Sequence, residues 1–89
     1  MRKQPSPWFV YLVRCKDSSL YCGITNNVKS RLEAHNGGSG AKYIVPSRRP
    51  VFLVYLEKIQ SKSAALVREA AIKKMPKAVK EELVAVLGA

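Results

Sequence analysis

The sequence predicts an α/β protein of the α+β kind: a small, mostly antiparallel three-stranded sheet flanked by helices, in the order β-β-α-β-α-α. Three observations lead there. Two aromatic and β-branched runs, Trp8 to Cys15 and Leu20 to Ile24, are separated only by the turn-forming stretch Lys16 to Ser19, so they pair as an antiparallel hairpin. A third such run, Val51 to Lys58, follows a helical stretch and is itself followed by two more. Three strands spaced in this way do not make the parallel array of repeated βαβ units.

Each element has its own signal. Residues 1–7 carry two prolines and read as a polar arm ahead of a single domain spanning residues 8–89. The run WFVYLVRC is apolar on both faces, which suits a central strand. Thr25, Asn26 and Asn27 offer caps for a helix that starts near Val28. That helix places Val28 and Leu32 on one face and Arg31 with His35 on another, and the stretch Asn36 to Gly40 ends it. Ala41 to Pro50 has mixed signals, either a short helix or an extended loop, and carries Lys42, Arg48 and Arg49 with no acid. A long helix runs from about Ser63 to Met75 and is broken by Pro76. Val79, Leu83 and Val86 give the closing stretch, Lys77 to Leu87, an amphipathic helical face.

Composition narrows the function. The chain has 89 residues, enough for one domain, and 47% of them are hydrophobic, too many for a disordered basic tail. A chain of this size buries about 60–65% of its extended surface, enough for a modest core. No apolar run approaches the roughly 18–20 residues of a membrane span, and the prolines and charges near the start are unlike a signal peptide. Cys15 and Cys22 with the single histidine fall short of the usual zinc ligand set, and two thiols read as reduced, which places the protein in the cytoplasm. Sixteen basic against six acidic side chains give a net charge of +10, a field that favours phosphate polyanions.

The residues that carry chemistry are spaced regularly. Tyr11 and Tyr21 lie in adjacent strands ten residues apart, Arg31 follows ten residues later, and His35 sits one helical turn beyond it. Glu69 lies within the long helix. Taken singly, each has an ordinary structural explanation: packing in the sheet for the tyrosines, a solvated helix face for Arg31 and His35, an i,i+4 pair with Lys73 for Glu69, and a bend or close backbone approach for Gly23. For both tyrosines to line one site they must share a face of the sheet, because side chains alternate along strands. That requires an odd-length hairpin loop or a bulge, expected at Asp17-Ser18-Ser19 with Cys15 opposite Tyr21.

Together these residues resemble the GIY-YIG (URI-type) endonuclease domain family. Phe9-Val10-Tyr11 stands where that family has Gly-Ile-Tyr, and Tyr21-Cys22-Gly23 matches the Tyr-Ile-Gly half. The stretches LYCGITNNVKSRLEAHN and AKYIVPSRRPVFLVYLEKIQSKSAALVREAAIKKM are similar to the single-domain bacterial members, and the likeness covers roughly residues 8–83. It extends to the catalytic domain of the eukaryotic nuclease that cuts branched DNA. The resemblance implies metal-dependent hydrolysis of phosphodiester bonds in DNA, directed by DNA structure, branched or damaged forms included, rather than by sequence. It implies Tyr11, Tyr21, Arg31, His35 and Glu69 as catalytic residues, Gly23 as a structural member of the motif, and Glu69 as the ligand of one Mg²⁺ or Mn²⁺. Arg31 would meet the phosphate, Tyr11 or Tyr21 would orient or deprotonate the attacking water, and His35 would relay the proton; which of these takes the proton stays open. Lys29, Lys42, Arg48 and Arg49 are the expected nucleic-acid contacts, and a monomer is the expected state. The leading glycine of the family triplet is Phe9 here, and no asparagine follows Asn36. The second point favours the alternative reading, a nucleic-acid-binding module on the same scaffold that has lost turnover.

Overall fold

The computed structural model describes residues 7–87, so all of the expected arm but Pro7 lies outside the described residues. Strands β1 (Trp8–Arg14), β2 (Leu20–Thr25) and β3 (Phe52–Ile59) alternate with helices α1 (Val28–Gly37), α2 (Lys62–Lys73) and α3 (Lys77–Leu87) in the expected order. The sheet runs β2-β1-β3, with β1 antiparallel to both neighbours. The all-apolar run therefore occupies the centre, where Val10, Tyr11, Leu12 and Val13 are all buried.

Alternation along β1 sends its side chains into two separate layers. Val10 and Leu12 join Cys22, Tyr55, Ala65 and Ile72 on the side covered by α2, with Leu83 and Val84 of α3 against them. Tyr11, Val13 and Cys15 join Ile44 and Val51 on the other side, packed by Tyr21, Leu32 and Ala41. Both cysteines are free and buried, one in each layer.

The hairpin has the odd-length loop the tyrosines need, set one residue earlier than expected. Val13 faces Tyr21 and Tyr11 faces Gly23, so both tyrosines point to the same side. The Cys15 amide donates to the Ser19 carbonyl at 2.8 Å, closing a three-residue loop Lys16-Asp17-Ser18 in which Ser18 takes a left-handed φ of 71°. A second irregularity lies on the β3 side, where Leu12 faces Tyr55 but Val13 faces Leu53, leaving Val54 as an extra residue in β3.

Helix α1 has little apolar stripe. Its N-cap is Asn27, whose side chain accepts from the Ser30 amide, and its C-cap is Gly38 at φ 95°. Besides Leu32, what docks it is polar. His35 is its buried residue, and the Asn36 side chain accepts from the Val51 amide at 2.7 Å and donates to the Val51 carbonyl at 3.3 Å. The mixed-signal segment 41–50 holds a single 3-10 turn, Pro46–Arg48, and is otherwise irregular; buried Ile44 and a bond from the Lys16 amide to the Arg48 carbonyl tie it down. Ser61 caps α2 through the Ala64 amide, and α2 ends at Lys73, two residues before the expected Met75. No described helix is long and apolar enough to cross a membrane.

Candidate active site

The α1 side of the sheet gathers four of the five expected catalytic residues. Tyr11 is delivered by central β1, Tyr21 by edge β2, and Arg31 and His35 by α1, one turn apart. The Tyr11 hydroxyl and His35 Nε2 are hydrogen-bonded at 2.8 Å. The rings of Tyr11 and Tyr21 lie 6.4 Å apart between centroids, and the His35 ring sits 5.9 Å from Tyr11 and edge-on to Tyr21 at 5.4 Å. Arg31 stands beside both phenols. Its approach to the Tyr11 oxygen is the main influence that raises the guanidinium pKa and keeps it charged.

This packing is possible because Gly23 lies opposite Tyr11 across the β1–β2 pair. A methyl group at Gly23 would lie 2.5 Å from the Tyr11 hydroxyl oxygen and 2.7 Å from Cζ, so only glycine lets the phenol lie flat across β2.

Burial sets the protonation of the cluster. It pushes Tyr11 up to about 12, partly opposed by Arg31, so the phenol is neutral at pH 7. It pushes His35 down to about 4, assisted by the positive charge of Arg31, so the imidazole is neutral too. His35 is thus no part of a solvated helix face. It is 1% exposed, with both ring nitrogens engaged. Among the described residues no buried side-chain polar atom lacks a hydrogen-bond partner.

Glu69 comes from the far side. It lies on α2 near Cys22 of β2, where its charge helps burial to push the Cys22 thiol up to about 11. Its neighbours Ala65 and Ile72 are fully buried, so it borders the apolar layer, with 17% of its side chain exposed. Lys73 connects the two sides: its Nζ lies 3.4 Å from a Glu69 carboxylate oxygen and 6.0 Å from the centre of the Tyr21 ring. Among the described residues no group of three or more His, Cys, Asp or Glu stands ready for a metal ion. The donor set on this side is one hard carboxylate. That suits Mg²⁺ or Mn²⁺ held by a single carboxylate, with waters and substrate phosphate completing the shell.

The expected nucleic-acid contacts divide in two. Lys29 on α1 and Lys42 after it are exposed. Arg48 is engaged within the protein: its Nε donates to Asp17 at 2.9 Å, its Nη1 donates to the Tyr43 carbonyl, and its guanidinium covers the Tyr43 ring at 4.2 Å. The Arg49 Nε donates to the Ile44 carbonyl at 3.4 Å, and its guanidinium lies near Gly38.

Three participants escape sequence reasoning. Tyr43 stacks on Tyr21 with ring centroids 5.9 Å apart and continues the aromatic group outward to Arg48. Gly40 and Ala41 lie against His35, and the Ala41 amide donates to His35 Nδ1 at 3.2 Å. A tyrosine between Lys42 and Ile44 is the one visible trace of the first. A backbone amide leaves no trace in a sequence.

Residues 7–82 match the family model described as the GIY-YIG catalytic domain. The chain belongs to the GIY-YIG family. The GIY-YIG domain is 52% identical over 77 residues to a UPF0213 protein of Syntrophus aciditrophicus, covering 85% of this chain and 87% of that one. It is 57% identical over 65 residues to a UPF0213 protein of Staphylococcus haemolyticus, covering 73% and 78%. Among solved structures it is similar to a UPF0213 protein of Bacillus halodurans determined by solution NMR, at a TM-score of 0.61 and 37% identity over 93% of this chain and 87% of that one. A protein of E. faecalis, also solved by NMR, aligns at a TM-score of 0.62 and 36% identity over 97% of this chain and 90% of that one. GIY-YIG domains form a nuclease family.

Proposed function

We propose that this GIY-YIG domain hydrolyses phosphodiester bonds in DNA with the help of one Mg²⁺ or Mn²⁺ ion. The observation that carries the reading is the convergence of Tyr11, Tyr21, Arg31 and His35, from three separate elements, into one packed cluster built on the Tyr11–His35 hydrogen bond, on the sheet face opposite the aliphatic core. Arg31 offers a permanent planar cation to the phosphate and to the charge that develops on it. Tyr11 meets substrate as a neutral hydroxyl, since its pKa is about 12, and becomes a phenolate only where added cations offset its burial. Tyr21 packs in the cluster between His35 and Tyr43. Glu69 would hold the ion, with Lys73 giving up its contact. Held by Glu69, such an ion would supply Lewis acidity to the phosphoryl oxygens and to bound water.

Lys29 and Lys42, with Arg48 and Arg49 on the adjoining loop, supply phosphate contacts. Such contacts position a duplex without reading its sequence, which supports cutting directed by DNA shape, branched and damaged forms included. We read the protein as a cytoplasmic monomer.

The test is incubation with branched, nicked and linear DNA, with Mg²⁺, Mn²⁺ or chelator. Wild type cleaves in metal alone. Glu69→Gln abolishes metal-dependent cleavage, keeps DNA binding in a gel shift, and unfolds in chelator at the same temperature or slightly above. Binding without cleavage under every metal condition identifies a binding module, and cleavage by purified Glu69→Gln removes Glu69 as the ligand.

A further inference from the structure

His35 touches two polar partners, and one of them has only one way to bond. The Ala41 backbone amide donates to Nδ1 at 3.2 Å, and an amide nitrogen has no lone pair to offer. Nδ1 must therefore be the bare nitrogen. A neutral imidazole carries a single N–H, which then sits on Nε2, and Nε2 lies 2.8 Å from the Tyr11 hydroxyl oxygen. The direction of the buried bond follows: His35 donates and Tyr11 accepts. The Tyr11 hydroxyl has one hydrogen of its own, and that hydrogen points away from His35.

We infer that the Gly40–Ala41 backbone is a tautomer lock, which makes His35 a fixed hydrogen-bond donor to Tyr11 and bars it from taking the Tyr11 proton. The lock depends on close approach. A Cβ at Gly40 would overlap His35 Nδ1 and come within 2.7 Å of the His35 Cα, so a side chain there would push the loop off the ring. For His35 to accept from Tyr11, its proton would have to move to Nδ1, where it would face the Ala41 N–H, donor against donor. Ala41 and Gly40 are positioning residues, and His35 is a donor that supports negative charge on the Tyr11 oxygen. Any proton Tyr11 surrenders goes outward, to solvent or to an oxygen of the bound phosphate. The neutral state of the ring agrees with this, since burial and Arg31 both oppose an imidazolium.

The inference about catalysis rests on the nuclease reading; the tautomer does not, and the experiment separates them. Long-range ¹H–¹⁵N correlation spectra of the labelled wild-type protein at pH 7 identify each ring nitrogen of His35, the only histidine in the chain. The expected spectrum shows a bare Nδ1 and a protonated Nε2. A protonated Nδ1, or an imidazolium, overturns the lock whether or not the protein cuts DNA. Ala41→Pro deletes the amide hydrogen, and Gly40→Ala displaces the loop; in whichever variant keeps the wild-type fold, both tautomers are expected to appear. A spectrum unchanged from wild type in such a folded variant overturns the assignment to Ala41. In the cleavage assay His35→Gln separates donor from base, because an amide can donate to Tyr11 and cannot take a proton. The donor role predicts a loss of about tenfold or less, the worth of one displaced hydrogen bond. A loss of about 10²–10⁴-fold in a folded His35→Gln variant is the signature of a missing base and contradicts the proposal.

Discussion

On the α2 and α3 side of the sheet, Val10, Leu12 and Cys22 meet Ala65 and Ile72 in a layer of aliphatic side chains and one thiol, with Tyr55 completing it. On the α1 side the same two strands present Tyr11, Tyr21 and Gly23 to a helix that docks through a histidine and an asparagine. The two sides differ in what a substitution removes. The first loses buried area, and the fold fails with little specificity as to which residue was lost. The second loses a directed bond or a close approach, and the fold persists while the geometry of the phenol changes. Because β1 feeds both sides through odd and even positions, stability and chemistry are one residue apart along the chain.

The largest effect belongs to the aliphatic side. Leu12→Ala empties a fully buried site and is expected to cost about 2–5 kcal/mol in urea denaturation, a large part of the stability of a domain this small. Cleavage per folded molecule stays unchanged; if it falls while the fold holds, the two sides are not separable.

Gly23→Ala comes next. The added methyl has to displace the Tyr11 ring or the strand, at an expected cost of about 1–3 kcal/mol, and cleavage is lost in molecules that remain folded. Full activity in a folded Gly23→Ala variant would show that the position of Tyr11 does not matter.

The pH dependence is smaller and belongs to His35. In the folded protein its pKa is about 4 against 6.5 for the free side chain, so the unfolded chain takes up the proton first as pH falls. The stability it contributes is full above pH 6.5 and is lost as pH drops toward 4. The slope reaches at most one proton, about 1.4 kcal/mol per pH unit. Asp17 and Glu81, whose pKa values the fold lowers from 3.8 and 4.5, lose their contributions as pH falls toward those values, so Glu81 overlaps the lower part of the window. Thermal unfolding between pH 6.5 and about 5.5 therefore isolates His35, and the slope there is expected to flatten in His35→Gln.

The smallest effect is expected at Asp17. Asp17→Asn breaks the exposed pair with Arg48 and leaves the melting temperature nearly unchanged. It also frees a cation beside the cluster, so DNA affinity measured by gel shift rises. A fall in affinity would mean that Arg48 serves the protein rather than the nucleic acid.

How much of this was legible in the sequence follows from where the information resides. The central strand could be read from WFVYLVRC, because a strand buried on both faces has no polar alternation. The shared face of the two tyrosines could be required but not located: the loop closes at Cys15 and Ser19 because Ser18 accepts a left-handed φ, a choice that KDSS does not announce. Taken alone, His35 reads as part of a polar helix face, and only the resemblance marks it as catalytic, since helical spacing records periodicity and not what the loop after α1 covers. Segment 41–50 gave no regular pattern because it has almost no regular structure. It is held by single contacts, Ile44 in the core and the Ala41 amide on His35, that periodicity does not register.

The central claim is that the Tyr11 hydroxyl, held by His35 and flanked by Arg31, takes part in phosphodiester hydrolysis. Cleavage of branched DNA in Mg²⁺ or Mn²⁺ by wild type and by Tyr11→Phe measures it most directly. The variant keeps the ring that fills the space over Gly23 and loses only the oxygen, leaving the His35 N–H without its acceptor at a cost of about 1–3 kcal/mol. The expected result is a folded Tyr11→Phe protein that binds DNA and cuts it about 10²–10⁴-fold more slowly than wild type. Equal rates from the two folded proteins would contradict the claim.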